Sequence, residues 1–157
     1  KEKIKKLDIE PIIISVVDDF NNIYRLKRGI KISYENDKKN KYFVYGIENR
    51  VEQIVANLLD NAVSFSEDNK EVIVKVSKSN DGKVTINILD EGVGFKEKDT
   101  NKIFKRFYSN RPDKFGEHSG LGLNIVKNLV DLHNASIKAS NRLDQKGANM
   151  EVIFPKV

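Results

Sequence analysis

The chain of 157 residues carries 28 Lys and Arg against 23 Asp and Glu, a formal net charge of +5, and no cysteine. That length suits one domain with a sizeable core, and the missing thiols exclude disulfides, thiolate catalysis and cysteine-based metal sites, in keeping with a reducing cytoplasm. Basic residues are mixed with acidic ones and form no long block, so nucleic-acid binding would rest on net charge alone and is not expected. No apolar run approaches the roughly 20 residues that cross a bilayer, and the Lys-rich start lacks the apolar centre of a signal peptide. KEKIKK, opening without Met, suggests a piece of a longer protein joined at a charged junction.

From Ile12 to Tyr24, Ile13, Val16, Val17, Phe20 and Ile23 recur at helical spacing, with Pro11 suited to a first turn. Ile30, Ile32 and Tyr34 alternate as a strand, and Lys41 to Gly46 reads as its hairpin partner across a polar turn. Ile47 to Phe65 is the clearest helix, with Val51, Ile54, Val55, Leu58, Leu59, Ala62 and Phe65 in register. Two strands, EVIVKVSKS and KVTINILD, meet at Asn80-Asp81-Gly82. Residues 90–119 have little periodicity and are long for a connection, as functional lids often are. A helix resumes in SGLGLNIVKNLVDLH and ends near His133-Asn134, and ASIKAS and NMEVIFP close the chain around Gly147. This order predicts a mainly antiparallel sheet with helices on one face.

Three clusters could carry chemistry. Gln53, Asn57, Asn61 and Ser64 form a polar stripe on the second helix. Asn is a mediocre helix former, and the stripe reads either as a solvated face or as amide oxygens completing a hydrated Mg²⁺ shell. In DEGVGF, Asp90 ends a strand and could accept a hydrogen bond from an exocyclic amine such as adenine's, with Gly92 and Gly94 giving clearance to a flat ring; a plain turn fits equally well. In HSGLGL, Ser119 suits an N-cap, and Gly120 and Gly122 would uncover helix N–H groups for a phosphate, or only start a capped helix. Between them, Ile103, Phe104, Phe107 and Tyr108 interleave with Lys105 and Arg106, either as a short helix pinned to the core or as a lid whose Arg106 or Arg111 reaches anionic oxygens. The two histidines, His118 and His133, offer no Ser/His/Asp arrangement and read as cap or packing residues.

Taken in order, NLLDNA (57–62), DEGVGF (90–95), IFKRFY (103–108) and SGLGLNIV (119–126) resemble the N, G1, F and G2 boxes of the ATP-binding catalytic domain of bacterial sensor histidine kinases. The resemblance spans the chain from about residue 8 to the last strand. It implies an α/β (α+β) sandwich of the Bergerat, or GHKL, type: a mostly antiparallel mixed sheet, about three helices on one face and a long ATP lid at about 95–118. It further implies one ATP-binding domain over 8–157, with 1–7 the end of a linker from an upstream helical domain. By this resemblance Asn61 is the principal Mg²⁺ ligand, with Asn57 beside the metal or phosphates, and Asp90 receives the adenine amine between Gly92 and Gly94. Ser119, Gly120, Leu121 and Gly122 offer backbone N–H groups to the phosphates, while Arg106 and the Phe104/Phe107 pair organise the lid.

The implied activity is transfer of the γ-phosphoryl group of Mg-ATP to a histidine on a separate dimerisation domain, then onward to a response regulator receiver domain. The isolated domain is expected to be monomeric, the full-length protein a homodimer, and this part cytoplasmic in a sensor anchored in the inner membrane. Ser64 and Phe65 replace a Lys and a Tyr or His of many relatives, His118 replaces a glycine, and Asn134-Ala135 replace paired glycines. Asn57 stands where related ATPases carry a water-activating Glu, which argues against efficient hydrolysis. Competing readings are another GHKL ATP user, such as an anti-sigma serine kinase or gyrase-like ATPase, and a degenerate module that senses nucleotide without transferring phosphate.

Overall fold

The computed structural model describes residues 3–38, 41–95, 103–104 and 121–157. Helix α1 (Ile9–Arg28) is longer than its apolar periodicity because both ends carry stop signals. Asp8 caps the start, its Oδ1 accepting from the Glu10 N–H at 3.1 Å, and Gly29 turns left-handed at φ 66° with its N–H on the Arg25 carbonyl. Pro11 falls in the first turn, where no N–H is needed.

Strands β2 (Lys31–Asn36), β4 (Glu71–Lys78), β5 (Val84–Leu89), β7 (Ala148–Phe154) and β6 (Ser136–Asn141) form one sheet in the order β2-β4-β5-β7-β6. Only β2–β4 is parallel. The β4–β5 and β6–β7 hairpins form as expected.

The expected pairing of Lys41–Gly46 with β2 does not occur. Strand β3 (Phe43–Gly46) pairs instead with β1 (Lys5–Asp8) in a separate two-stranded sheet. At Ile32 of β2 the Asn21 amide of α1 donates to the carbonyl and accepts from the N–H, both at 2.8 Å, so a helix side chain occupies one pairing position of that edge strand. Lys5–Leu7, which fall in the stretch read as linker, are therefore paired with β3, and Leu7 is buried.

Alternate residues of the large sheet, Ile32, Val72, Val74, Val76, Val84, Ile86, Ile88, Met150, Val152 and Phe154, are buried with the inner faces of α1, α2 (Glu48–Ser64) and α3 (Leu121–Leu132). The opposite face carries a row of mixed charge in register, Glu35, Lys75, Asn87, Glu151 and Lys138. Helices thus cover one face of the mixed sheet, as expected. Among the described residues no helix is long and apolar enough to cross a membrane.

Candidate functional site

Asp90 follows β5 in the same alternation as Val84, Ile86 and Ile88, so its side chain enters the layer beneath the helices, 1 % exposed. A carboxylate cannot stay there without donors. Oδ1 accepts from the Gly92 N–H at 2.9 Å and the Ala148 N–H at 3.1 Å, while the Asp90 N–H donates to the Ala148 carbonyl at 3.0 Å. Turn and carboxylate are held together.

The other supports of this turn come from residues the sequence did not single out. Arg142, just past β6, donates through Nη1 to the Asp90 carbonyl at 3.1 Å and grips Asp144 with Nε and Nη2 at 3.0 and 2.9 Å. That pairing raises the guanidinium pKa further and lowers that of Asp144. The Asn141 amide binds the Phe95 backbone twice, accepting from its N–H at 2.7 Å and donating to its carbonyl at 3.2 Å. Gly94 lies at φ +76°, and a Cβ there would sit 2.4 Å from Asn141 Oδ1; the close approach of Asn141 already requires a glycine. At Gly147 a Cβ would lie 1.9 Å from the Asp90 carbonyl oxygen. Gly92 is buried within the turn.

Asn61 occupies a buried position of α2, 4 % exposed, and its Nδ2 has no hydrogen-bond partner among the described residues. An orphaned buried amide costs about 1–3 kcal/mol. Asn57, one turn earlier, is half-buried. The stripe is therefore not merely solvated, since its second Asn is turned inward. Two braces hold the helix that carries them. At its C-terminal end Arg28 of α1 donates to the Val63 and Ser66 carbonyls at 2.9 and 2.5 Å and pairs with Asp68 at 2.7 Å. At its N-terminal end the Ile47 N–H donates to Nε2 of buried His133 at 3.2 Å, while Nδ1–H of that ring donates to the Leu129 carbonyl at 2.7 Å. Both ring nitrogens are engaged in the neutral form, so His133 is a packing and cap residue, as expected.

Ile103 and Phe104 form a short 3₁₀ turn buried in the core, and Asn124 of α3 donates to the Phe104 carbonyl at 3.2 Å. Phe104, within the expected lid, is thus docked. Leu121 opens α3, and at Gly122 an added Cβ would meet no described atom within 4 Å, so packing does not demand that glycine. Arg106, Phe107, Ser119 and Gly120, with His118, lie outside the described residues. Phe65 is buried at the C-cap of α2, and Asn134 takes the left-handed conformation, φ 54°, in place of a glycine.

The structure thus brings Asp90, Gly92, Gly94 and Asn61 into the interior on the helix-covered side, with Asn57 half-buried one turn before Asn61. Among the described residues no cluster of three His, Cys, Asp or Glu could hold a metal.

The family model described as histidine kinase-, DNA gyrase B- and HSP90-like ATPase matches residues 46–157. The chain is 35% identical over 148 residues to sensor protein ChvG of Agrobacterium fabrum, covering 90% of this chain and 25% of that protein. It therefore spans about a quarter of the length of the curated relatives it matches. In fold it is similar to the mycobacterial sensor histidine kinase MprB, at 24% identity and a TM-score of 0.81 over 98% of this chain and 97% of that one. The catalytic domain of histidine kinase ThkA superposes with a TM-score of 0.83 at 24% identity, covering 98% of this chain and 96% of that one. ThkA has also been solved in complex with response regulator protein TrrA; that structure matches at 22% identity and a TM-score of 0.80, over 98% of this chain and 42% of that one. With the ordered motifs, the buried carboxylate after β5 and the inward Asn of α2 in place, the chain belongs to the family of histidine kinase-, DNA gyrase B- and HSP90-like ATPases.

Proposed function

We propose that the chain binds Mg-ATP and serves as the phosphoryl-donor part of a sensor histidine kinase in a two-component system. The observation that carries this reading is the buried side chain of Asn61, whose Nδ2 has no hydrogen-bond partner among the described residues. A half-turn about its last torsion exchanges nitrogen for oxygen, so the same side chain can present a neutral oxygen ligand without adding charge to a site that must also take a triphosphate. Asn61 and Asn57 would hold Mg²⁺, which when bound neutralises charge on the phosphate oxygens.

Asp90 would accept the adenine amine through a carboxylate already oriented by Gly92 and Ala148. Gly92 and Gly94 would shape the floor beneath the base, Phe104 would anchor the lid, and at Gly122 no described atom crowds the start of α3, where phosphate would approach. Ser119, Gly120 and Leu121 would add backbone N–H groups, and Arg106 and Phe107 would complete the lid, as the sequence resemblance implies.

The reaction is in-line attack of an acceptor imidazole on the γ-phosphorus: the P–N bond forms as the bond to the ADP oxygen breaks. His133 cannot be that acceptor, because both its nitrogens are engaged in the fold. The acceptor would lie on a separate dimerisation domain, the phosphoryl group would pass on to a response regulator receiver domain, and this part would work on the ATP-containing side of a membrane-anchored homodimer.

Mixing the chain with its own helical domain and γ-labelled ATP tests the reading. The expected product is an acid-labile, base-stable phosphohistidine on the helical domain. Tight ATP binding with no such product contradicts the donor role and favours a nucleotide-sensing module.

A further inference from the structure

Arg142 is unusual for an arginine: its side chain is only 5% exposed, whereas its partner Asp144 is 68% exposed. Taking a guanidinium out of water is costly unless it is paired and hydrogen-bonded. Nε and Nη2 form a two-pronged grip on Asp144, and Nη1 reaches back to the Asp90 main-chain carbonyl at 3.1 Å. This carbonyl belongs to the peptide that leads from Asp90 into the turn, so its direction sets where the Gly92 N–H lies. That N–H and the one from Ala148 are the two donors that fix Oδ1 of Asp90. The space around the carbonyl is closed on the other side by Gly147, where any Cβ would overlap it. Glu91, the next residue, is tied down separately by the Glu71 N–H at 2.8 Å and Gln145 at 3.2 Å.

We propose that Arg142 is a positioning residue for base recognition: clamped by Asp144 at the surface, it fixes the Asp90 peptide so that the carboxylate meets the exocyclic amine of an adenine nucleotide, and the Asp144–Arg142 pair thereby sets the preference for adenine over hypoxanthine. This rests on the reading of Asp90 as the base acceptor. The role is directional. A merely structural arginine would weaken binding of every nucleotide alike, whereas a misaimed Asp90 weakens only the nucleotide whose amine it reads.

Calorimetric titration of the 157-residue chain with ATP and with ITP, both with Mg²⁺, separates these cases. ITP keeps the triphosphate and ribose but carries an oxygen where adenine has its amine. The unaltered chain should prefer ATP by at least about tenfold, and Asp90→Ala should remove the preference. Arg142→Ala should lower ATP affinity about tenfold while ITP affinity moves less than about twofold, and Asp144→Ala should do the same more weakly. Should Arg142→Ala not fold, Asp144→Ala decides alone, because its side chain lies at the surface. A preference that survives in Arg142→Ala and Asp144→Ala but collapses in Asp90→Ala overturns the role of Arg142 and leaves Asp90 as the reader. Equal binding of ATP and ITP by the unaltered chain overturns the assignment of Asp90, and this inference with it.

Discussion

The two sides of the candidate site are built in opposite ways. The Asp90 carbonyl accepts from Arg142, its Oδ1 accepts from the Gly92 and Ala148 N–H groups, and Asn141 holds the Phe95 backbone at the end of the same turn. On α2 the amide of Asn61 is buried with no partner for its nitrogen end among the described residues. The side proposed to read the base is held by bonds within the fold, and the side proposed to face the phosphates carries, among the described residues, an unmet polar group. The difference suggests a division of labour: fixed geometry where one base must be told from another, and an unsatisfied ligand where a hydrated ion must be admitted.

Breaking the bonded side should have the largest effect. Asp90→Ala removes the acceptor and leaves the Gly92 and Ala148 N–H groups without their bonds, and ATP affinity should fall at least about a hundredfold by calorimetry. A smaller, non-functional loss is expected from the brace at the start of α2. His133→Ala should cost about 2–4 kcal/mol in urea denaturation while the folded variant keeps its ATP affinity. Affinity falling in step with stability would mean that α2 and the nucleotide share one cooperative unit.

A control lies away from both sides. Tyr42 is buried, its hydroxyl bonded to Asp37, and burial together with that bond pushes its pKa up to about 12. A group whose folded pKa is raised stabilises fully below its unfolded value, near 10, and loses that contribution as pH rises through 12. The chain should therefore lose on the order of 2 kcal/mol between those values, and Tyr42→Phe should remove this part of the alkaline slope. The smallest effect sharpens the comparison most. Asn61→Ala should change stability by less than about 1 kcal/mol, since it deletes a group that is not fully bonded, yet the Mg²⁺ dependence of ATP binding should vanish. A loss of about 3 kcal/mol would show that the amide is satisfied in solution.

Much of this fold is legible in the residues. Apolar spacing marks three helices, and Asn80-Asp81-Gly82 marks the β4–β5 hairpin, because both signals are local. The partner of β3 is not legible, because it is β1, a distant short segment with no local pairing signal. Within the site, Asp90 and Asn61 stand out through ordered motifs, whereas Asn141 and Arg142 belong to no motif. Nothing in the string NRLD says that its arginine is buried against a carbonyl some 50 residues earlier. Gly94 also changes meaning: its left-handed backbone and its contact with Asn141 explain it before any ring is considered.

The most direct test of the central claim is calorimetric titration of the chain with ATP, with and without Mg²⁺. The account predicts saturable one-to-one binding that Mg²⁺ strengthens in the unaltered chain but not in Asn61→Ala. Absence of binding at millimolar ATP, or binding to which Mg²⁺ and Asn61 are both indifferent, would contradict it.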